Sequence, residues 1–192
     1  NIFAFLLIVW FINLYNFLDG INGYAGSEAI FLGLAGFIMF GGSHFMLLVV
    51  AVLGFLYWNW NKAKIFMGDV GSTLLGYNIA IFTLYYANQE SSNLWIWIIL
   101  FGVFWFDATL TLIRRKMNNE KLSQAHKKHA YQRLTQSGFS HLKVSTFSIL
   151  LNICLFAIVY FISNIFIAFI ASLMLLYGVM KFVDSKKDFD KL

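Results

Sequence analysis

"FLLIVWFINLYNFLDGINGYAG", residues 5–26, changes character halfway along. Its first half is an apolar run of the kind that crosses a bilayer. Its second half sets Asp19 among Asn16, Asn22 and three glycines, Gly20, Gly23 and Gly26. A chain that alternates such runs with such breaks is a bundle of membrane helices joined by polar loops, and the rest of the sequence repeats the alternation. Of 192 residues, 60% are hydrophobic and 19% aromatic, with a mean hydropathy of +0.72. Only 12% are charged, about half the ~25% of a soluble globular domain. The apolar runs, roughly 15 to 22 residues each, approach the ~20 residues a helix needs to cross a ~30 Å hydrocarbon core. Backbone polar groups in lipid must be satisfied within the segment, and no alternating barrel pattern is present, so these spans are helices.

The spans are expected near 1–15, 25–41, 44–60, 72–88, 94–114, 143–162 and 165–181. This predicts an all-α polytopic membrane protein of about seven transmembrane helices, one domain over 1–192. Connectors alternate sides, so loops near 16–24, 61–71 and 115–142 share a face with the C-terminal tail. Every basic residue falls there: Lys62, Lys64, Arg114, Arg115, Lys116, Lys121, Lys127, Lys128, Arg133, Lys143, Lys181, Lys186, Lys187 and Lys191. The positive-inside rule makes that face cytoplasmic. Trp58 and Trp60, and Trp95 and Trp97, suit interfacial belts at the two faces. The net charge of +5 is divided among orienting loops rather than gathered on a recognition element, which argues against nucleic acid as a partner. Cys154, the single cysteine, excludes a disulfide framework and reads as a packing residue. The chain opens on Asn1, with no basic n-region or cleavage site before the first run. It reads as a fragment of a longer protein.

Four polar strings lie at the basic face. In "NLYNFLDGINGYAG", Asn13, Asn16, Asp19 and Asn22 recur every third residue toward a glycine break. Asp19 is either a helix-end cap, a cation ligand, or an acceptor for a nucleobase or sugar. In "FMGDVGS", Asp69 stands between glycines at the start of an apolar helix. An N-cap is one reading; a loop open to phosphate or a hard divalent cation is the other. Asp107 lies seven residues before Arg114, inside a span, where an ionisable group is costly and is functional or paired, here with Arg114 or Arg115. His126 and His129, with Lys127, Lys128 and Arg133, fit an anion-binding loop better than a zinc site, which would want a third ligand; plain surface histidines are the alternative.

Together the strings resemble the polyprenyl-phosphate N-acetylhexosamine-1-phosphate transferases (glycosyltransferase family 4 type). "NxxNFLDGINGYAG" is similar to the family's Asn-rich Asp-Gly motif, "FMGDVGSTLLG" to its Phe-Met/Leu-Gly-Asp-x-Gly-Ser motif, and "AHKKHAYQRL" with "GFSHLKVS" to its histidine loop. The phrasing of that loop and of "FDATLTLIRR" is closest to O-antigen and capsule-type members. The resemblance implies the C-terminal part of a roughly ten-span fold in the bacterial inner membrane. It implies transfer of a sugar 1-phosphate from a UDP-N-acetylamino sugar to polyprenyl (undecaprenyl) phosphate, releasing UMP and starting a cell-envelope polysaccharide such as lipopolysaccharide O-antigen. It implies Mg²⁺, replaceable by Mn²⁺, held by Asp69. Asp19, Asp69, His126 and His129 are then the catalytic candidates, and Asn16, Asn22, Asp107, Lys127 and Arg133 the substrate-binding ones. A homodimer is compatible with all of this.

The chain departs from the family in two places. Asn22 stands where the family has a second acid, and no adjacent acid pair occurs anywhere, whereas family members carry an Asp-Asp pair in their N-terminal part. If the chain is a fragment, the missing part supplies that pair; otherwise the protein is an inactive remnant. A transporter, motivated by Asp107 within a span and glycine-interrupted helix ends, is the reading from another class.

Overall fold

The computed structural model describes residues 2–189; Asn1 and Lys191, used above for the start of the chain and its sidedness, lie outside the described residues. Among the described residues there are nine helices and no strand: α1 (Ile2–Leu18), α2 (Tyr24–Phe40), α3 (Ser43–Asn59), α4 (Gly68–Gln89), α5 (Ser92–Leu100), α6 (Gly102–Met117), α7 (Ala130–Gln136), α8 (His141–Phe161) and α9 (Ile165–Lys186). Each of the seven expected spans has its helix, with the fifth divided into α5 and α6. The protein is an all-α polytopic membrane protein. Large apolar side chains stand exposed along the bundle, among them Leu47, Val50, Phe161, Phe166 and Met174, a girdle that water would not tolerate and lipid does. Cys154 is on that exposed surface of α8 rather than in the packing.

By length and composition α8 and α9 can each cross a bilayer, and α5 with α6 makes a third, bent crossing. α1, α2 and α3 have 17 residues each, about 25 Å at 1.5 Å per residue, a little short of the core. The α5/α6 bend of 78° corrects the expected straight span over 94–114. The chain has no proline to cause it. The break falls at Phe101–Gly102, where the Phe101 ring packs against Phe11 and Tyr15 of α1, while a Cβ on Gly102 would crowd Leu155 and Leu176. The same bend draws Trp97 inward: it is fully buried beside Phe40, Phe45 and Phe82, so it is a core residue and not an interfacial one.

Packing of α1 on α4 is close because Gly76 has no side chain; a Cβ there would sit 2.7 Å from the Phe11 carbonyl oxygen. α2 meets α8 along a polar seam. His141 Nδ1 accepts from the Asn22 N–H (3.4 Å) and Ser145 Oγ donates to the Asn22 carbonyl (2.9 Å). Further in, Asn152 Nδ2 donates to Glu28 Oε2 at 2.5 Å. These residues recur at helical spacing on one face of α8. Gly23, at φ +77°, turns the chain into α2 with the Trp60 ring directly over it.

Candidate functional site

The polar loops converge at one end of the helices. α1 stops at Leu18 and α4 starts at Gly68, and Asn16 joins them. Its Nδ2 donates to Asp69 Oδ1 (3.0 Å) and Ser72 Oγ (3.1 Å). Asp69 is in the first turn of α4, and no side chain caps that helix. The capping reading of Asp69 is therefore replaced: its carboxylate is exposed beside the positive end of a 22-residue helix. Asp19, Asp69, Asn16 and Asn22 line one cleft of about 210 Å³ with Asn59. Burial, and then the charge of Asp69, raise the Asp19 carboxyl from 3.8 to about 6. Two carboxylates facing one cleft with an amide shell form an oxygen-rich, electron-rich donor set, and no lysine or arginine lines it. That chemistry suits a hard divalent cation, which takes one or two carboxylates and leaves positions for phosphate oxygens. No group of three or more His, Cys, Asp or Glu suited to a metal occurs among the described residues.

The histidine segment docks on the first loop. Tyr131 donates to the Phe17 carbonyl (3.2 Å) and packs so closely over Gly20 that a Cβ there would overlap its hydroxyl. His129 stacks between Phe17 (6.3 Å) and Tyr131 (6.1 Å), and His126 lies 4.8 Å from His129, ring centre to ring centre. Burial, with His129 and Arg115 adding to it, lowers His126 to about 4. It is neutral at pH 7. Its Nδ1 accepts from the Lys128 N–H (3.3 Å), so its proton is on Nε2. His126, Lys127, Lys128 and Arg115 line a basic cleft of about 690 Å³. Glu120 sits among them, its carboxyl lowered chiefly by the Lys128 hydrogen bond.

Two expected substrate ligands have other work. Asp107 is 4% exposed and pairs with neither Arg114 nor Arg115. Its two oxygens accept from the Ala130 N–H (2.8 and 2.9 Å), and Oδ1 also accepts from the Thr111 hydroxyl (3.1 Å). His129 Nδ1 stands 3.6 Å away. Asp107 thus holds the first amide of α7, a capping role played from another helix. Arg133 is fully buried and binds Asp184 (2.6 Å) and the Lys187 carbonyl. Arg114 pairs with Asp184, and Arg115 with Glu120 (3.0 Å) and the Lys121 carbonyl (2.7 Å).

Sequence reasoning missed three residues. Asn59 bridges the first two loops, accepting from the Gly23 N–H (2.9 Å) and donating to the Ile65 carbonyl (2.9 Å); its signal was an amide at a span end. Tyr131 gave none. Glu28 did: it is an acid inside an apolar run, and the structure buries it at 1% exposure.

Fold and site together define an integral membrane protein whose polar chemistry is gathered at the ends of its helices. Residues 1–87, which carry the Asp19 and Asp69 loops, match the model of glycosyl transferase family 4. The chain is 36% identical over 148 residues to the probable undecaprenyl-phosphate N-acetylglucosaminyl 1-phosphate transferase of Bacillus subtilis, covering 71% of this chain and 41% of the relative. It is 30% identical over 166 residues to the decaprenyl-phosphate N-acetylglucosaminephosphotransferase of Mycobacterium tuberculosis, covering 72% and 41%. It is 32% identical over 156 residues to the phospho-N-acetylmuramoyl-pentapeptide-transferase of Staphylococcus aureus, covering 76% and 46%. The chain belongs to this family, the polyprenyl-phosphate N-acetylhexosamine-1-phosphate transferases. It spans less than half the length of these curated relatives.

Proposed function

We propose that the protein to which this chain belongs transfers an N-acetylamino-sugar 1-phosphate from a UDP-sugar to polyprenyl phosphate at the cytoplasmic face of a bacterial inner membrane. An oxygen of the lipid phosphate attacks the sugar-linked phosphorus. The bond from that phosphorus to the bridging oxygen breaks, and UMP departs with the bridging oxygen. The observation that carries the reading is the cleft shared by Asp19 and Asp69, beside the start of α4 and next to the histidine segment. Phosphoryl transfer asks for charge neutralisation and in-line placement more than for covalent chemistry from the protein. Asp69, with Asp19, would hold Mg²⁺, which when bound neutralises charge on the diphosphate and orients it. Asn16 fixes the Asp69 carboxylate. Neutral His126 offers an Nε2–H donor, and Lys127 offers an ammonium group to phosphate oxygens. Asn22, an amide, can bind but not act as a base.

Full-length protein supplied with Mg²⁺, undecaprenyl phosphate and a panel of UDP-N-acetylamino sugars is expected to release UMP with at least one of them. Absence of release with every sugar, from protein that elutes as one folded species, overturns the proposal.

A further inference from the structure

The end of α9 closes over the histidine segment. Asp184 takes a bidentate pair from Arg114 of α6 (2.8 and 3.0 Å) and a hydrogen bond from Arg133 of α7 (2.6 Å). Three residues on, the Lys187 carbonyl accepts from Arg133 Nε (3.1 Å) and Nη2. Phe189, only 4% exposed, receives three cations around its ring: Lys128 at 5.2 Å and Arg114 and Arg133 each at 5.4 Å. One carboxylate, one carbonyl and one phenyl ring thus tie together α6, α7 and the loop carrying His126 and His129. Cations placed within about 6 Å of an aromatic ring are attracted by its quadrupole, and more strongly when desolvated. Arg133 is fully buried, so its charge has no recourse to water if these partners go.

The tie is mechanically opposite to Asp107. That carboxylate holds the first amide of α7 from α6, while Asp184 in the last turn of α9 and Phe189 just beyond it hold the middle of α7 through Arg133. His129 lies at the N-terminal edge of the segment so held. We propose that Asp184 and Phe189 are positioning residues, a C-terminal clasp that fixes α7 and with it the two histidines against the Asp-Gly loop.

The experiment uses full-length protein in nanodiscs and four variants: Phe189→Ala, Phe189→Leu, Asp184→Asn and Asp184→Glu. Hydrogen exchange is followed in peptides from α7, with peptides from α3 as the internal reference. Phe189→Ala and Asp184→Asn are expected to speed exchange in α7 at least tenfold and leave α3 unchanged; Phe189→Leu, which keeps the apolar bulk but not the ring, gives a smaller increase, and Asp184→Glu recovers most of the protection. Unchanged α7 exchange in both Phe189→Ala and Asp184→Asn, or equal acceleration in α3, overturns the clasp.

The kinetic arm rests on the transferase reading. There kcat is expected to fall on the order of 10²-fold, the scale of a displacement of about 1 Å, and KM for the UDP-sugar to rise with it, because His126 and Lys127 are carried by the segment that is released. Faster α7 exchange with wild-type kcat overturns the positioning role. A wild-type protein that releases no UMP counts against the transferase reading alone, since the exchange arm decides the clasp without it.

Discussion

Replacing Asp107 by alanine separates a substrate ligand from a structural cap. The substitution leaves the Ala130 N–H, which now has two acceptor oxygens at 2.8 and 2.9 Å, without a partner in a half-buried place. An orphaned buried donor costs about 1–3 kcal/mol, in the same range as the ~0.5–2 kcal/mol lost with a helix N-cap; these are two descriptions of one loss. The Thr111 hydroxyl loses its 3.1 Å acceptor as well, but it can turn to the backbone carbonyl one turn back. The net is about 1–3 kcal/mol on the docked state of α7, or a population of undocked α7 raised roughly 5- to 140-fold at about 1.4 kcal/mol per decade. Hydrogen exchange resolved at Ala130–Arg133 reads this directly. Asp107→Asn, which keeps one acceptor oxygen, is expected to lose less than half as much protection. The reasoning is refuted if Asp107→Ala leaves exchange in α7 unchanged while raising KM for a UDP-sugar more than tenfold, since that is the signature of a ligand.

Gly23→Ala places a Cβ 2.6 Å from the Trp60 ring at a backbone φ of +77°, and the strain alone costs on the order of 1–3 kcal/mol; a lowered midpoint in a detergent thermal melt checks it. Glu28→Leu strands the Asn152 amide in the bundle, at about 1–3 kcal/mol, whereas Glu28→Gln, which keeps an acceptor, is expected to melt within about 1 kcal/mol of wild type. The Asp19 carboxyl, raised from 3.8 to about 6, holds its proton in the fold where the unfolded chain has lost it, so stability from this group falls as pH rises from about 4 to 6 and is level above that. Asp69→Asn removes the second cause of the shift and is expected to move the Asp19 titration downward, as read by infrared difference spectroscopy against Asp19→Asn. Addition of Mg²⁺ to wild type is expected to move it the same way.

Hydropathy and loop parity sufficed to place a helix at each expected apolar run and to bring Asn16, Asp19, Asn22 and Asp69 to one cleft, because burial and sidedness act on whole segments. They failed wherever direction or a distant partner decides. The bend at Phe101–Gly102 carries no proline and no drop in hydropathy; it depends on Phe11 and Tyr15, some 90 residues earlier. Trp97 followed it into the core. Asp107 and Arg133 were rightly marked as costly or cationic, yet their partners, Ala130 and Asp184, are 23 and 51 residues away and have no local signature. The tail carries only its charge as a local signal, with nothing to point to a partner, yet Asp184 and Phe189 are engaged with α6 and α7. Use of Asp107 as the α7 cap also removes the main reason for a transporter, which was an unexplained acid within a span.

Transfer is expected to depend on Asp69 in its cleft with Asp19, and a label on one phosphorus atom reads that dependence. UDP-N-acetylglucosamine carrying ³²P at the sugar-linked phosphate is given to full-length protein with Mg²⁺ and undecaprenyl phosphate, beside the Asp69→Asn variant. Label is expected to pass into the lipid fraction with wild type and almost none with Asp69→Asn, although the variant remains folded and in the membrane. Transfer by Asp69→Asn at the wild-type rate would contradict it.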